Sequence, residues 1–305
     1  MPRTTLSFYL HIIAVAVVVF AVGNWLSSRT PDRAEGSPSI ISGDSSAAPR
    51  NDNRESVFDR VMRTKTIRCG YFIRAGFLMK DVNTGAFSGI AHDYVEELAK
   101  SLSLTVDWAE EIGSGDIATA LQTGRVDAQC SVIWPTSARA RAMDFVAPVA
   151  LTPLVAVVRA DETRFNGDYA QLNATQFSGA FVDGSTMGMV TQRNFANAKP
   201  HSLPQLSALT EPLVDVAGGK ADFALSDSFL AHNFMAKNPG KLKILSPNSL
   251  GVYTNALFIK QDEYKFKRML DVATQELIQT GVIDRIIKKY DIYPGTILPI
   301  AHFTE

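Results

Sequence analysis

Cysteine is nearly missing from this 305-residue chain, with Cys69 and Cys130 the only two. They form no Cys-x-x-Cys pair, and the histidines, His11, His92, His201, His232 and His302, show no His-x-x-x-His spacing. The zinc-binding patterns that spacing can reveal are therefore excluded, and neither a metal nor a cofactor is expected. Nucleotide fingerprints are lacking too, because "AGGKA" has neither the upstream glycine nor the following hydroxyl of a phosphate loop. An excess of either charge is also missing. With 30 Lys and Arg against 31 Asp and Glu, and no basic run interleaved with aromatics, nucleic acid is not an expected partner.

What is present begins with an apolar stretch from Leu6 to Leu26, broken only by Ser7, His11, Gly23 and Asn24. As a helix it would be roughly 30 Å long, enough to cross a bilayer core. Residues 1–26 thus read as an export signal or a membrane anchor. Ala21-Val22-Gly23 has the spacing of a cleavage site, whereas the length of the run favours a retained anchor, which is the expectation. No cysteine follows shortly after, which excludes lipoprotein-type acylation. Residues 27–55 are rich in Ser, Pro, Asp and Arg and nearly free of large apolar side chains, so they read as a disordered linker. Both cysteines sit in strand-like runs, "TIRCGYF" and "DAQCSVIW". An exported protein would allow them to pair; the expectation is two small buried hydrophobes on adjacent strands.

From residue 66 onward, short apolar strands alternate with amphipathic helices. "DYVEELAKSLSL" places Tyr94, Val95, Leu98, Ala99 and Leu102 on one face, and Gly124 closes the helix in "DIATALQTG". Such alternation predicts an α/β fold with mostly parallel sheets. A second run starts near "SGAFVDG", and its "GGKADFALS" echoes the earlier "TGRVDAQCS". Two similar lobes follow from that echo. Two extended segments, "TPLVAVVRADE" and "GVYTNALFIK", read as the outward and return crossings between them. The expected division is 56–153 with 255–305 as lobe 1 and 154–254 as lobe 2. "YKFKRMLDVATQELIQTGVIDRIIKKYDI" reads as two helices separated at Gly281 that pack on lobe 1.

"WPTSARARAMDF" holds the sharpest chemical signal. Thr136 and Ser137 look like a helix start, and Arg139 then falls in the first turn, where a cation is disfavoured by the helix dipole. An anion would make the arrangement favourable: helix N–H groups, a Thr hydroxyl and a guanidinium fork together suit a carboxylate. The alternative is that Arg139, like Arg141, is a solvated surface arginine.

Taken as an ordered set, "TIRCGYFIRAGF", "SGIAHDYVEELAKSLSL", "ALQTGRVDAQCSVIWPTSARARAMDF" and "LIQTGVIDRIIKKY" resemble solute-binding protein family 3, the periplasmic amino-acid-binding proteins of ABC importers. The likeness spans about residues 58–292. It implies the two-lobed type II periplasmic-binding fold, with two mostly parallel sheets flanked by helices and hinged by two crossing strands. It also implies roles. Thr136 and Arg139 would bind the ligand's α-carboxylate, with Thr186 in "DGSTMG" adding a donor and Asp227 taking the α-ammonium. The alternative is that Thr186 and Asp227 are parts of helix starts. Phe77, Arg74, Trp134 and Ser131 complete the expected ligand-binding set. Phe77 falls where the family has the Phe of a Pro-Pro-Phe turn, but "RAGF" lacks the prolines and carries Arg74 where an aromatic is common. Trp134 replaces a small hydroxyl residue. Asp93 is expected to cap its helix.

The expected function is extracytoplasmic capture of a small polar amino acid or related ligand for ABC-type import, by a monomer that serves an inner-membrane permease and is held to the membrane by its N-terminal helix. The chain is not expected to be an enzyme. One alternative is a periplasmic enzyme on the same fold, similar to cyclohexadienyl dehydratase; its general acid cannot be assigned, since Glu110 and Glu111 read as solvated. Another is a membrane-tethered amino-acid sensor domain.

Overall fold

The structure is a computed structural model and describes residues 55–300. The expected anchor, residues 1–26, and all but the last residue of the expected linker, 27–55, lie outside the described residues. Among the described residues no helix is long and apolar enough to cross a membrane.

The chain runs through α1 (Val57–Thr64), β1 (Thr66–Tyr71), a small hairpin of β2 (Met79–Lys80) and β3 (Phe87–Ser88), α2 (Ile90–Ser101), β4 (Thr105–Glu111), α3 (Ile117–Thr123), β5 (Ala128–Ile133), α4 (Ser137–Ala140) and β6 (Met143–Phe145). β1 lies between β4 and β5, parallel to both. On α2 the residues Tyr94, Val95, Leu98 and Ala99 are buried, as the spacing predicts. Gly124 ends α3 at φ 73°, a left-handed conformation that glycine adopts without steric cost.

β7 (Ala150–Arg159) leads into the second lobe, which contains β8 (Ser178–Val182), α5 (Thr186–Asn194), β9 (Lys199–Leu203), α6 (Glu211–Ala217), β10 (Phe223–Asp227), α7 (Ser228–Lys237) and β11 (Leu242–Ile244). Here β8 lies between β10 and β9, again parallel to both. The chain returns through β12 (Gly251–Lys260) into α8 (Tyr264–Gln279), α9 (Val282–Tyr290) and β13 (Leu298–Pro299). Gly281, at φ 69°, separates α8 from α9. Leu270, Leu277, Ile283 and Ile287 of these helices share one core with Ile67 and Leu98 of the first lobe.

The crossings change partners at mid-length. β7 pairs with β12 over Ala150–Leu154 and with β10 over Leu154–Val158. Correspondingly, β12 pairs with β7 up to Asn255 and with β5 from Ala256 to Ile259. One antiparallel pair therefore joins two parallel groups of strands.

The repeated sequence device has a repeated structure. Asp127 accepts the backbone N–H of Arg68 at 2.6 Å and pairs with the Arg60 and Arg68 guanidiniums. Asp222 accepts the Ser178 N–H at 2.8 Å and pairs with Arg164 at 2.6 Å. Each carboxylate thus satisfies an N–H of the neighbouring parallel strand, that of the third residue of β1 and of the first residue of β8. Gly124 and Gly219, at corresponding positions, both have φ 73°.

Two expectations are corrected. Cys69 and Cys130 are not unpaired hydrophobes but form a disulfide with Cα atoms 5.5 Å apart. The parallel register, Cys69 opposite Ala128, brings the two into bonding range while both stay buried. Asp93 does not cap its helix, because Gly89 occupies that position without a side-chain cap. Its carboxylate instead accepts from Lys289 Nζ at 2.8 Å and Tyr290 Oη at 2.9 Å, tying α2 to α9; these bonds hold its carboxyl below the usual range against the opposing effect of burial.

Candidate functional site

Arg139 is buried, at 8% exposure, whereas Arg141 two residues on is exposed. The Thr136 hydroxyl caps α4 by accepting the Arg139 N–H at 3.2 Å, which fixes the backbone and turns the side chain inward. Arg139 Nη1 donates to the Trp134 carbonyl at 3.2 Å and to Thr186 Oγ1 at 2.7 Å. Burial alone pushes its pKa down, to about 10, with no carboxylate among the described residues to offset the effect. Thr186 opens α5. Ser185 caps that helix by accepting from Gly188 N at 3.0 Å, so the Thr186 O–H remains able to donate.

Arg74 is the second buried guanidinium. Its Nη1 donates to the Val132 carbonyl at 3.0 Å and to Asn255 Oδ1 at 2.8 Å, and its Nη2 lies 3.4 Å from Asp227 Oδ2. The group stacks over the Phe77 ring at 3.9 Å. Burial lowers its pKa and Asp227 opposes that. Val132 holds φ 37°, an uncommon conformation for a β-branched residue, at the point where its carbonyl meets Arg74.

Asp227 is the N-cap of α7, its Oδ1 accepting from Leu230 N at 2.8 Å. It is 1% exposed and lies behind Arg74. Trp134 donates Nε1–H to Thr152 Oγ1 at 2.7 Å and stacks on Tyr253 with centroids 4.5 Å apart. Asn255 Nδ2 donates to the same Thr152 oxygen at 3.1 Å. A continuous chain of contacts therefore runs Trp134, Thr152, Asn255, Arg74, Asp227 through both crossing strands.

A narrow cavity of about 30 Å³ is lined by Arg74, Trp134, Arg139, Thr186 and Phe72, among others. It adjoins a wider one of about 510 Å³ that shares Phe72, Arg74, Ser114 and Leu209. Of the expected ligand set, Arg74, Trp134, Arg139 and Thr186 meet at the narrow cavity. Thr136 acts one layer back, as the cap that orients Arg139. Phe77 is fully buried in the first-lobe core beneath Arg74. Ser131 is also fully buried, its Oγ accepting from Phe72 N at 2.8 Å and donating to Phe72 O at 2.9 Å, so it staples β5 to the segment after β1. Asn255 was not anticipated; an amide inside the apolar run "NALFIK" was its available signal. Ser185 carried the helix-start signal of "DGSTMG"; Ser114 and Leu209 carried none. Glu110 pairs with Arg125. Among the described residues no group of three His, Cys, Asp or Glu is placed to hold a metal ion.

This architecture is shared with solved structures. The ancestral amino acid-binding protein AncCDT-1, described as a precursor of cyclohexadienyl dehydratase, superposes with a TM-score of 0.68 at 23% identity, covering 77% of this chain and 99% of that one. A probable histidine-binding protein of Campylobacter jejuni is 22% identical over 205 residues, 67% of this chain and 77% of that protein. The amino-acid-binding protein AabA of Dichelobacter nodosus is 22% identical over 213 residues, 69% and 81% of the two chains. The profile of the bacterial extracellular solute-binding proteins, family 3, matches residues 74–292, well over half of the sequence. The chain belongs to that family of extracytoplasmic solute-binding proteins.

Proposed function

We propose that this protein captures a small polar amino acid or related ligand between its two lobes and delivers it to an inner-membrane ABC permease. The observation that carries this reading is the pair of Arg139, from the first lobe, and Thr186, from the second, with a buried guanidinium that no carboxylate among the described residues neutralises. A ligand carboxylate meeting both would complete the charge balance and bond the lobes together. The relatives named for histidine and amino-acid binding agree with it.

The lobe boundaries we propose, 153/154 and 254/255, fall where β7 and β12 change partners. Residues 1–26 would hold a monomer at the inner membrane; membrane fractionation of the full chain checks this, and a soluble species beginning near Asn24 would refute it.

A dehydratase reading has AncCDT-1 in its favour. Against it, the titratable side chains lining the narrow cavity are the two arginines, which keep their protons at neutral pH and make poor general acids. Turnover of an arogenate-like substrate would reverse that preference.

Calorimetry of residues 56–305 against the amino acids tests the binding reading. A charge-assisted hydrogen bond contributes roughly 1.5 to 3 kcal/mol, so Arg139→Ala should weaken binding at least about tenfold while Arg141→Ala leaves it unchanged. Equal effects of the two substitutions would remove Arg139 from the site.

A further inference from the structure

The inner charges of the cleft do not cancel. Arg74 and Arg139 line the narrow cavity, and Asp227, placed behind Arg74, pairs with Arg74 alone. Glu111 and Lys237, which line the wider cavity, are both exposed and opposite in sign. The buried balance is therefore one positive charge. A zwitterionic amino acid with a neutral side chain would leave that balance unchanged, and an unbalanced charge in a water-poor cleft is costly.

Arg74 is built to change partners. Its Nη1 is held firmly by the Val132 carbonyl and Asn255, whereas its Nη2 contact with Asp227, at 3.4 Å, is long for a charge-assisted hydrogen bond. The Phe77 face supports the guanidinium plane from below. A carboxylate arriving in the cavity can take Nη2 while Nη1 stays anchored, and the Asp227 oxygen so released can accept an ammonium.

We infer that the ligand is an amino acid whose side chain carries a carboxylate, bound with its α-carboxylate on Arg139 and Thr186 and its side-chain carboxylate on Arg74. This rests on the amino-acid reading above and narrows it. Its net charge of minus one at neutral pH cancels the buried balance.

The isosteric pairs L-glutamate/L-glutamine and L-aspartate/L-asparagine isolate the charge from size and shape. Calorimetry of the full wild-type chain at pH 7 should show an acid binding at least tenfold more tightly than its amide in one pair, and no amide binding more tightly than its acid. Arg74→Gln combined with Asp227→Asn strands neither charge and leaves the buried balance at one positive charge, so it isolates the direct contact of Arg74 with the side-chain carboxylate and should shrink the preference at least threefold. Arg74→Lys retains the charge and should retain the sign of the preference, so the proposal stays testable even if the double variant does not fold. Parity, or preference for an amide, overturns this inference and leaves the amino-acid reading standing. A preference undiminished in the folded double variant also overturns it. Absence of binding by every amino acid overturns both.

Discussion

Asp227 accepts the Leu230 N–H with one oxygen and faces the Arg74 guanidinium with the other, so removing it takes away a helix cap and strands a buried cation together. The cap is worth about 1 kcal/mol, whereas breaking a buried ion pair from one side costs about 3 to 5 kcal/mol. The ion pair therefore dominates. Urea unfolding of Asp227→Ala should show a loss in that larger range, and Asp227→Asn a smaller one because its amide oxygen still accepts. A loss in Asp227→Ala no larger than a cap alone would mean that Arg74 is satisfied without it. Of the two roles read for this position in the sequence, the helix cap is present, and the ligand-ammonium role remains proposed, for the other oxygen, which faces Arg74. Its concealment behind Arg74 was not legible, since it depends on which rotamer a long side chain adopts among residues distant in sequence. Arg139 was legible because its misfit is local: a cation in the first turn is unfavourable within the helix itself.

Secondary elements were legible where a residue's role is set by its own backbone or its nearest strand. Gly124 marks a helix end by its left-handed conformation, and the Asp127 and Asp222 echo reports a carboxylate capping an adjacent parallel strand in each lobe. The pairing of Cys69 with Cys130 was not, because adjacency of β1 and β5 is compatible with either state until the register is known. The bond spans a sequence separation of 61 residues. For a loop of this size the chain-entropy account gives a stabilisation of about 4 kcal/mol, within the general range of about 2 to 5 for native disulfides. Cys69→Ala with Cys130→Ala should lower the urea midpoint accordingly, and reducing the wild-type protein in denaturant should reproduce the shift. If the double variant matches the oxidised wild type, the bond contributes nothing to the folded state. The disulfide also binds together the strands that lead to Arg74 on one side and to Trp134 and Arg139 on the other.

At the scale of the whole molecule, the two-lobed α/β fold was legible from the alternation of elements and the two extended crossings. The narrow cavity has room for about two water molecules, too little for an amino acid held on Arg139 and Thr186, so the proposed capture would have the lobes separate for entry and close around the ligand. Solution scattering should record a smaller radius of gyration at saturating ligand than in its absence. An unchanged profile would count against hinge closure.

The crossing pair has one more consequence. Pro153 pairs with Val252 and Leu151 with Thr254, so the proposed lobe boundaries at 153/154 and 254/255 lie within a few residues of each other on one hydrogen-bonded ladder. The intervening stretch behaves as an insert with adjoining ends, and exchanging it for the corresponding stretch of a relative would create just two junctions, side by side. Recombination within the family would therefore set the Arg139 side of the proposed site from one parent against the Thr186 side of another while leaving the rest of the chain's path undisturbed.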